Sequence, residues 1–135
     1  MQNIIILLCS LFITTNITAQ TFLDKSPKER LLEALEYYGI HHKEIVYAQA
    51  IIETGNFKSK GCTRDNNLFG LRGRNGYYKY NHWSESVKAY KEKIQSRYKS
   101  GEDYYAFLKR IRYAENPDYI KVLKQIVNKY SNQFN

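Results

Sequence analysis

The chain has 135 residues and a formal net charge of +8, a length that fits one domain able to bury its own core. The excess of Lys and Arg suits an anionic polymer as partner, with improved solubility as the alternative reason for it. His41, His42 and His82 have no further ligands at helical or finger spacing, so we expect no metal and no cofactor.

Residues 1–19 are predicted to be a signal peptide. The apolar run Ile4–Ile13 is shorter than the roughly 20 residues of a membrane span but suits a signal-peptide core, with cleavage after Ala19. We therefore expect export to the periplasm, the cell envelope or the medium, with an uncleaved anchor as the alternative. Export argues against a nucleic-acid partner. Cleavage leaves residues 20–135 as one domain without a membrane span, and we expect a monomer in which Cys62 has no disulfide partner.

Two helices are predicted before the middle of the chain. Ser26-Pro27-Lys28-Glu29 is a capping box with proline at the first helical position, and the helix that it opens ends at Gly39. A second helix runs from about Lys43 to Glu53 and is stopped by Thr54-Gly55-Asn56. The polar stretch 56–66 is predicted to be a loop.

A single hairpin is predicted next, with Asn75-Gly76 as a two-residue turn between Leu71–Arg74 and Tyr77–Tyr80. Ser84 is expected to cap a third long helix, which ends at Ser100-Gly101. A short helix reaching Ile111 follows.

The final helix is predicted to start at Asn116 and Pro117, and the tail 131–135 is expected to fray. The elements together indicate an α+β domain that is mostly helical.

Glu53 is a single carboxylate at the end of an otherwise apolar helical run. Burial and the negative end of the helix dipole both disfavour ionisation, so both are expected to raise its pKa. A general acid needs that environment near neutral pH. From spacing alone, a solvated residue in the last helical turn is the stronger interpretation.

Four sequence blocks, in one order along the chain, favour the general acid instead. They are Ala48-Gln49-Ala50-Ile51-Ile52-Glu53-Thr54-Gly55, Asn66-Asn67-Leu68-Phe69-Gly70, Ser86-Val87-Lys88-Ala89-Tyr90 and Tyr113-Ala114-Glu115-Asn116-Pro117-Asp118-Tyr119. Through these blocks the chain resembles the bacterial autolysin-type endo-β-N-acetylglucosaminidases, a domain also found in flagellar rod muramidases. The resemblance covers roughly residues 27–130.

The resemblance implies a lysozyme-like fold with a helical lobe, a small β-lobe and a glycan cleft between them. It implies a secreted hydrolase that cuts the glycan strands of peptidoglycan at N-acetylglucosamine. The family's general acid falls on Glu53, and its cleft tyrosine falls on Tyr113, where a phenol can stabilise an oxocarbenium-like state or orient the N-acetyl group.

A second catalytic carboxylate is harder to assign, because no Asp or Glu lies between Asp65 and Glu85. Glycoside hydrolysis normally uses two carboxyl groups. Asp65 is one candidate, and Glu85 is another, although it fits better as a partner of a helix N-terminus. Attack by the substrate's own N-acetyl group is the third possibility and the one we rank first.

Substrate contacts are expected near the hairpin. Asn66 and Asn67 suit either a cleft wall that binds sugar amides or a turn that positions the hairpin. Phe69 fits the core better than a sugar platform, whereas the aromatic rings of Tyr78, Tyr80 and Trp83 could offer flat faces to sugars.

Two rival functions remain open. A lytic transglycosylase also works with one glutamate on a lysozyme-like fold. A non-catalytic peptidoglycan-binding module fits the short β-lobe, although Glu53 and Tyr113 argue against it.

Overall fold

The computed structural model describes residues 22–135, so the predicted signal peptide and its cleavage point lie outside the described residues. Six α-helices and one two-stranded sheet form this part of the chain. The helices are α1 Pro27–Tyr37, α2 Lys43–Thr54, α3 Lys60–Thr63, α4 Trp83–Lys93, α5 Tyr104–Arg110 and α6 Tyr119–Lys129. The strands are β1 Arg72–Gly73 and β2 Gly76–Tyr77.

Helix α2 is the centre of the domain. It packs against α1 on one side and against α6 on another, and α1 also packs against α4. Eight of its twelve residues are buried, among them Gln49 and Thr54. A helix buried on most faces must be apolar nearly all round, and the run Ile45–Ile52 meets that requirement.

The first helix begins where the capping box predicts. The Glu29 carboxylate accepts hydrogen bonds from the Ser26 backbone N–H at 3.1 Å and from its hydroxyl at 2.8 Å. Gly39 follows the helix at a φ of 62° and turns the chain toward α2. Helices α1 and α2 therefore both lie close to their predicted bounds.

The predicted hairpin is present but smaller and shifted by one residue. Each strand has two residues, and Arg72 pairs with Tyr77 while Gly73 pairs with Gly76. The turn is therefore Arg74-Asn75, and the prediction of Asn75-Gly76 as the turn was wrong. Gly76 adopts a φ of 112° inside the second strand, a conformation that L side chains rarely adopt.

Three helices also differ from prediction. The loop 56–66 contains α3, whose first turn is capped by the Ser59 side chain. Helix α4 is capped by His82 rather than Ser84, and it ends at Lys93 before the 3-10 turn Gln95–Arg97. Helix α6 starts at Tyr119, beyond Asn116 and Pro117.

The C-terminal tail is more ordered than expected. Residues Ser131–Gln133 form a 3-10 turn. The Phe134 ring then packs edge-on against Tyr47 with 5.6 Å between ring centroids.

The Asn67 side chain fastens the hairpin to the helical lobe. Its Nδ2 donates to the carbonyls of Leu71 at 2.8 Å and Tyr78 at 3.0 Å, and its Oδ1 accepts from the Leu71 N–H at 3.0 Å. The Asn67 side chain is buried, so water could not take over these hydrogen bonds if they were lost. A sheet of this size depends on such external support.

Replacing Asn67 with Ala is expected to lower the free energy of unfolding by about 1–3 kcal/mol, because buried backbone groups lose their partners. Thermal unfolding followed by circular dichroism measures the loss. Asn128→Ala, on the exposed face of α6, is the matched control and should melt like the wild type. Equal melting temperatures for all three proteins would contradict a fastening role for Asn67.

Candidate active site

Glu53 lies in the last turn of α2, where the chain makes a tight reversal. Gly55, Asn56 and Phe57 all have positive φ values, of 54°, 60° and 65°. The Thr54 hydroxyl donates to the Ala50 carbonyl at 2.6 Å and accepts from the Phe57 N–H at 2.8 Å, which holds the reversal. The helix therefore ends at Thr54, one residue after Glu53, and the Glu53 side chain lies at the mouth of a cleft.

Two cavities meet at Glu53. One has a volume of about 320 Å³ and the other about 330 Å³, and both are lined by Glu53, Gly70 and Tyr78. The first extends toward Asp65, and the second extends toward Tyr113. Cavities of this size accept a sugar ring each, so Glu53 occupies the junction of an extended groove.

Gly70 makes room for the Glu53 carboxyl. Its φ of 59° is left-handed, and a Cβ added at this position would lie 3.1 Å from Glu53 Oε2. Burial raises the pKa of the Glu53 carboxyl, and a hydrogen-bonding interaction with the Tyr119 hydroxyl opposes part of that rise. Burial thus raises the pKa as expected from the sequence, because few water molecules reach the carboxyl.

A chain of buried hydrogen bonds begins at the start of α2. The Gln95 side chain accepts from the His41 N–H at 2.9 Å and donates to the His41 carbonyl at 2.7 Å. Its Nε2 also donates to the Tyr104 hydroxyl oxygen at 3.0 Å. The backbone of His41 therefore fixes which way the Gln95 amide points.

The chain of hydrogen bonds continues through the core to Glu53. The Tyr90 hydroxyl donates to Gln49 Oε1 at 2.5 Å, so its contact with Tyr104 at 2.8 Å must use the Tyr104 proton. Gln49 Nε2 donates to the Tyr119 hydroxyl oxygen at 3.3 Å. The single Tyr119 proton is then free to point at the Glu53 carboxyl, with which that hydroxyl interacts.

Asp65 lines the first cavity together with Glu53, but it is engaged by its neighbour. Arg64 donates to both carboxylate oxygens, from Nε and from Nη2, each at 2.8 Å. These hydrogen bonds lower the pKa of Asp65. The cleft thus contains one carboxyl whose pKa is raised and one whose pKa is lowered.

The two asparagines are tied to the backbone. Asn66 has a φ of 54° and donates from Nδ2 to the carbonyls of Tyr80 at 3.0 Å and Asn81 at 3.3 Å. Asn67 lines the first cavity, yet all of its hydrogen bonds described above go to the hairpin backbone. These contacts favour the turn interpretation of both residues over sugar binding.

Tyr113 and Phe69 lie on the wall of the second cavity. The Tyr113 hydroxyl donates to the Phe69 carbonyl at 2.9 Å, and burial raises the pKa of that hydroxyl well above its usual range. The Phe69 ring is buried against Tyr90 with centroids 4.6 Å apart, so it belongs to the core as the sequence analysis favoured.

The aromatic residues near the hairpin separate into two groups. Tyr78 lines both cavities, and the exposed Tyr77 lines the first. Tyr80 and Trp83 line neither. The Tyr80 hydroxyl is buried without a hydrogen-bond partner in the described part of the chain.

Trp83 is 4% exposed, packs on Phe22 and donates from Nε1 to the Lys25 carbonyl at 2.8 Å. These contacts hold the indole in the core and away from both cavities, which disfavours the predicted contact with substrate.

Several residues of the site were not identified from the sequence as contributing to it. Gly70 and Tyr119 lie inside two of the four blocks, so a closer reading of those blocks could have suggested them. Arg64 and the cations of the second cavity carry no local signal, because their positions depend on how loops fold back over α2. Gln49 is polar within an apolar helix, which does indicate a buried partner.

In the range 22–135, no group of three or more His, Cys, Asp and Glu side chains is arranged to hold a metal ion. No helix within it has the length and apolar character needed to cross a bilayer.

The comparisons with known proteins agree with this geometry. Residues 28–132 match a family described as glucosaminidase, mannosyl-glycoprotein endo-beta-N-acetylglucosaminidase. The catalytic domain of the autolysin Auto from Listeria monocytogenes superposes with a TM-score of 0.58 at 20% identity, over 93% of this chain and 92% of that one. No curated protein matches the chain.

The chain therefore belongs to the glucosaminidase family and is a glycoside hydrolase. The likeness to Auto shows a shared fold and confirms the predicted α+β, mostly helical class.

Glu53→Gln is expected to raise the melting temperature at pH 7, on the order of a few degrees. The pKa of Glu53 is higher in the folded state than in the unfolded state. The free energy of unfolding therefore falls as pH rises from the unfolded pKa to the folded pKa, and the loss is complete above the folded pKa. A neutral amide at this position avoids that loss of stability.

Thermal melts at pH 7 and at pH 4 measure the effect, which should shrink at the lower pH, where the wild-type carboxyl is protonated. Glu115→Gln, at an exposed position, is the control and should change neither melt. A Glu53→Gln variant that melts below the wild type at pH 7 would contradict a raised pKa for the Glu53 carboxyl.

Proposed function

We propose that the protein is an exported, monomeric peptidoglycan hydrolase that cleaves glycan strands at N-acetylglucosamine. Membership of the glucosaminidase family and the fold shared with an autolysin catalytic domain support this substrate class. The formal charge of +8 supports it as well, because peptide stems give the polymer a negative charge. The observation that carries the proposal is a half-buried Glu53 at the junction of two sugar-sized cavities.

Glu53 acts as the general acid in this mechanism. A carboxyl with a raised pKa keeps its proton near neutral pH and can give it to the glycosidic oxygen as the bond breaks. The same group, once ionised, can accept a proton from the water that completes hydrolysis. Its position between the cavities puts the scissile bond next to the carboxyl.

The substrate's own N-acetyl group is the nucleophile that we propose. Apart from Glu53, the lining of the two cavities contains one carboxylate, that of Asp65 in the first cavity, and Arg64 binds both of its oxygens. A carboxylate held in this way is a poor nucleophile and a weak base, because Arg64 offsets part of its charge and occupies one acceptor site on each oxygen. Attack of the acetamido oxygen on the anomeric carbon would need no second free carboxylate.

Asp65 and Tyr113 then have supporting roles. An ionised Asp65 can accept a hydrogen bond from the acetamido N–H and stabilise the positive charge that develops when its oxygen attacks. The Tyr113 hydroxyl donates its hydrogen bond to the Phe69 carbonyl, and Tyr113 lies close enough to Glu53 for their charges to interact. Its oxygen lone pairs can therefore stabilise positive charge on the reacting sugar where the two cavities meet. Tyr78 contributes an aromatic face shared by both cavities.

The test compares three variants on purified peptidoglycan. Glu53→Gln should lose at least about 10²-fold in kcat, the usual scale for general acid catalysis. Tyr113→Phe should lower kcat with little change in KM, because the lost oxygen acts on transition-state charge. Its melt is measured as well, since this variant also lacks the hydrogen bond to the Phe69 carbonyl. Asp65→Asn should keep much more activity than Glu53→Gln. An Asp65→Asn variant as inactive as Glu53→Gln, with a normal melt, would restore a conventional pair of carboxylates.

Mass analysis of the digested muropeptides identifies the bond and the reaction. Reducing N-acetylglucosamine ends are the expected product. Anhydro-muramic ends would instead establish a lytic transglycosylase, which a single free acid would also suit. Binding to peptidoglycan with no new ends of any kind would leave only a non-catalytic module.

A further inference from the structure

The cavity that extends from Glu53 toward Tyr113 is strongly cationic. Four of its twelve lining residues are Lys or Arg, against 21 of 135 in the whole chain. They are Arg72 in β1, Lys93 at the end of α4, Arg97 in the 3-10 turn and Arg112 after α5. Glu53 is the single acidic residue that lines this cavity, and burial favours its neutral form.

These four cations have no carboxylate partners in the described part of the chain. The six ion pairs found there use other Lys, Arg and His residues. Arg72 and Lys93 lie over tyrosine rings instead, at 5.4 Å from the Tyr77 centroid and 4.9 Å from the Tyr78 centroid. Four like charges around one cavity repel each other, and an anion bound there would relieve that repulsion.

The neighbouring cavity carries much less net charge. It also contains a cation, Arg64, but the Asp65 carboxylate neutralises it through two hydrogen bonds. Its remaining polar lining comes from uncharged residues such as Ser59 and Asn67, apart from Glu53 at the junction. The groove is therefore close to neutral on one side of the junction and positively charged on the other.

We propose that the cationic cavity is a subsite for the carboxylates of the peptide stems attached to the glycan strand. This inference rests on the proposed function and adds a substrate feature to it, namely that the preferred strand carries peptides. An uncharged sugar can accept hydrogen bonds from these side chains but cannot offset their charge, whereas carboxylates do both through charge-assisted hydrogen bonds.

The charge difference also orients the strand. In the peptidoglycan repeat, an uncharged N-acetylglucosamine alternates with a muramic acid that carries the peptide. The near-neutral cavity beside Asp65 accepts the N-acetylglucosamine, and the cationic cavity accepts the neighbouring peptide-bearing sugar. A strand bound in this orientation presents one type of glycosidic bond to Glu53, which would make the cleavage specific.

The test uses the full mature protein and a double variant, Arg97→Gln with Arg112→Gln. The control is Lys109→Gln with Lys121→Gln, which removes the same charge from exposed positions outside both cavities. The substrates are peptidoglycan freed of secondary polymers and the same material with its carboxyl groups converted to amides. Initial rates give kcat and KM, and circular dichroism melts check folding.

On untreated peptidoglycan the cavity variant should lose about 10-fold or more in kcat/KM, mainly through KM, because two charge-assisted contacts are removed. The control variant should stay near the wild type. On the amidated substrate the wild type should fall to the level of the cavity variant, and the two should become alike.

Two results would overturn the subsite. One is an equal loss in both double variants, which would indicate general attraction to the polymer. The other is a cavity variant whose deficit persists on the amidated substrate. Failure of the proposed function is distinguishable from both, because the wild type would then release no new glycan ends from either substrate.

Discussion

The position and proton of Glu53 depend on a hydrogen-bond chain that crosses the core in one direction. The His41 backbone orients Gln95. Each later side chain then accepts one hydrogen bond and donates one, through Tyr104, Tyr90 and Gln49 to Tyr119. Because a phenol has one proton and an amide has distinct ends, the orientation of each group restricts that of the next. This hydrogen-bond chain holds α2, α4, α5 and α6 together. The proton of its last member, the Tyr119 hydroxyl, is available to the Glu53 carboxyl.

Burial and hydrogen bonding act on that carboxyl in opposite directions. Burial raises its pKa, and the Tyr119 hydroxyl lowers it by stabilising the ionised form. A carboxyl that is only buried would hold its proton too firmly to donate it, and one that is only hydrogen-bonded would lose it too early. Gly70 lets the loop come close enough to bury the group, since a side chain there would meet it.

The sequence was informative where a local rule decided the structure. The capping box at Ser26 and the glycine stop after Glu53 gave the bounds of α1 and α2, because both signals act within a few residues. The hairpin register was not predictable from Asn75-Gly76, since Asn67, eight residues before Asn75, fixes the pairing through its amide. Trp83 was misplaced for a similar reason, as its indole is held by the distant Lys25 and Phe22. The cationic cavity is assembled from four separate segments, and spacing in the sequence carries no trace of it.

The most direct measurement is an NMR titration of the Glu53 side-chain carboxyl, labelled with ¹³C and assigned by its absence in Glu53→Gln. The wild-type carboxyl should titrate clearly above the roughly 4.3 of an ordinary glutamate, at the same pH as the alkaline limb of kcat/KM. In Tyr119→Phe its pKa should rise further, because the ionised form loses a donor, whereas Tyr105→Phe should leave it unchanged. A Glu53 that titrates near 4.3 and ignores the Tyr119 substitution would contradict its role as the buried acid of this hydrolase.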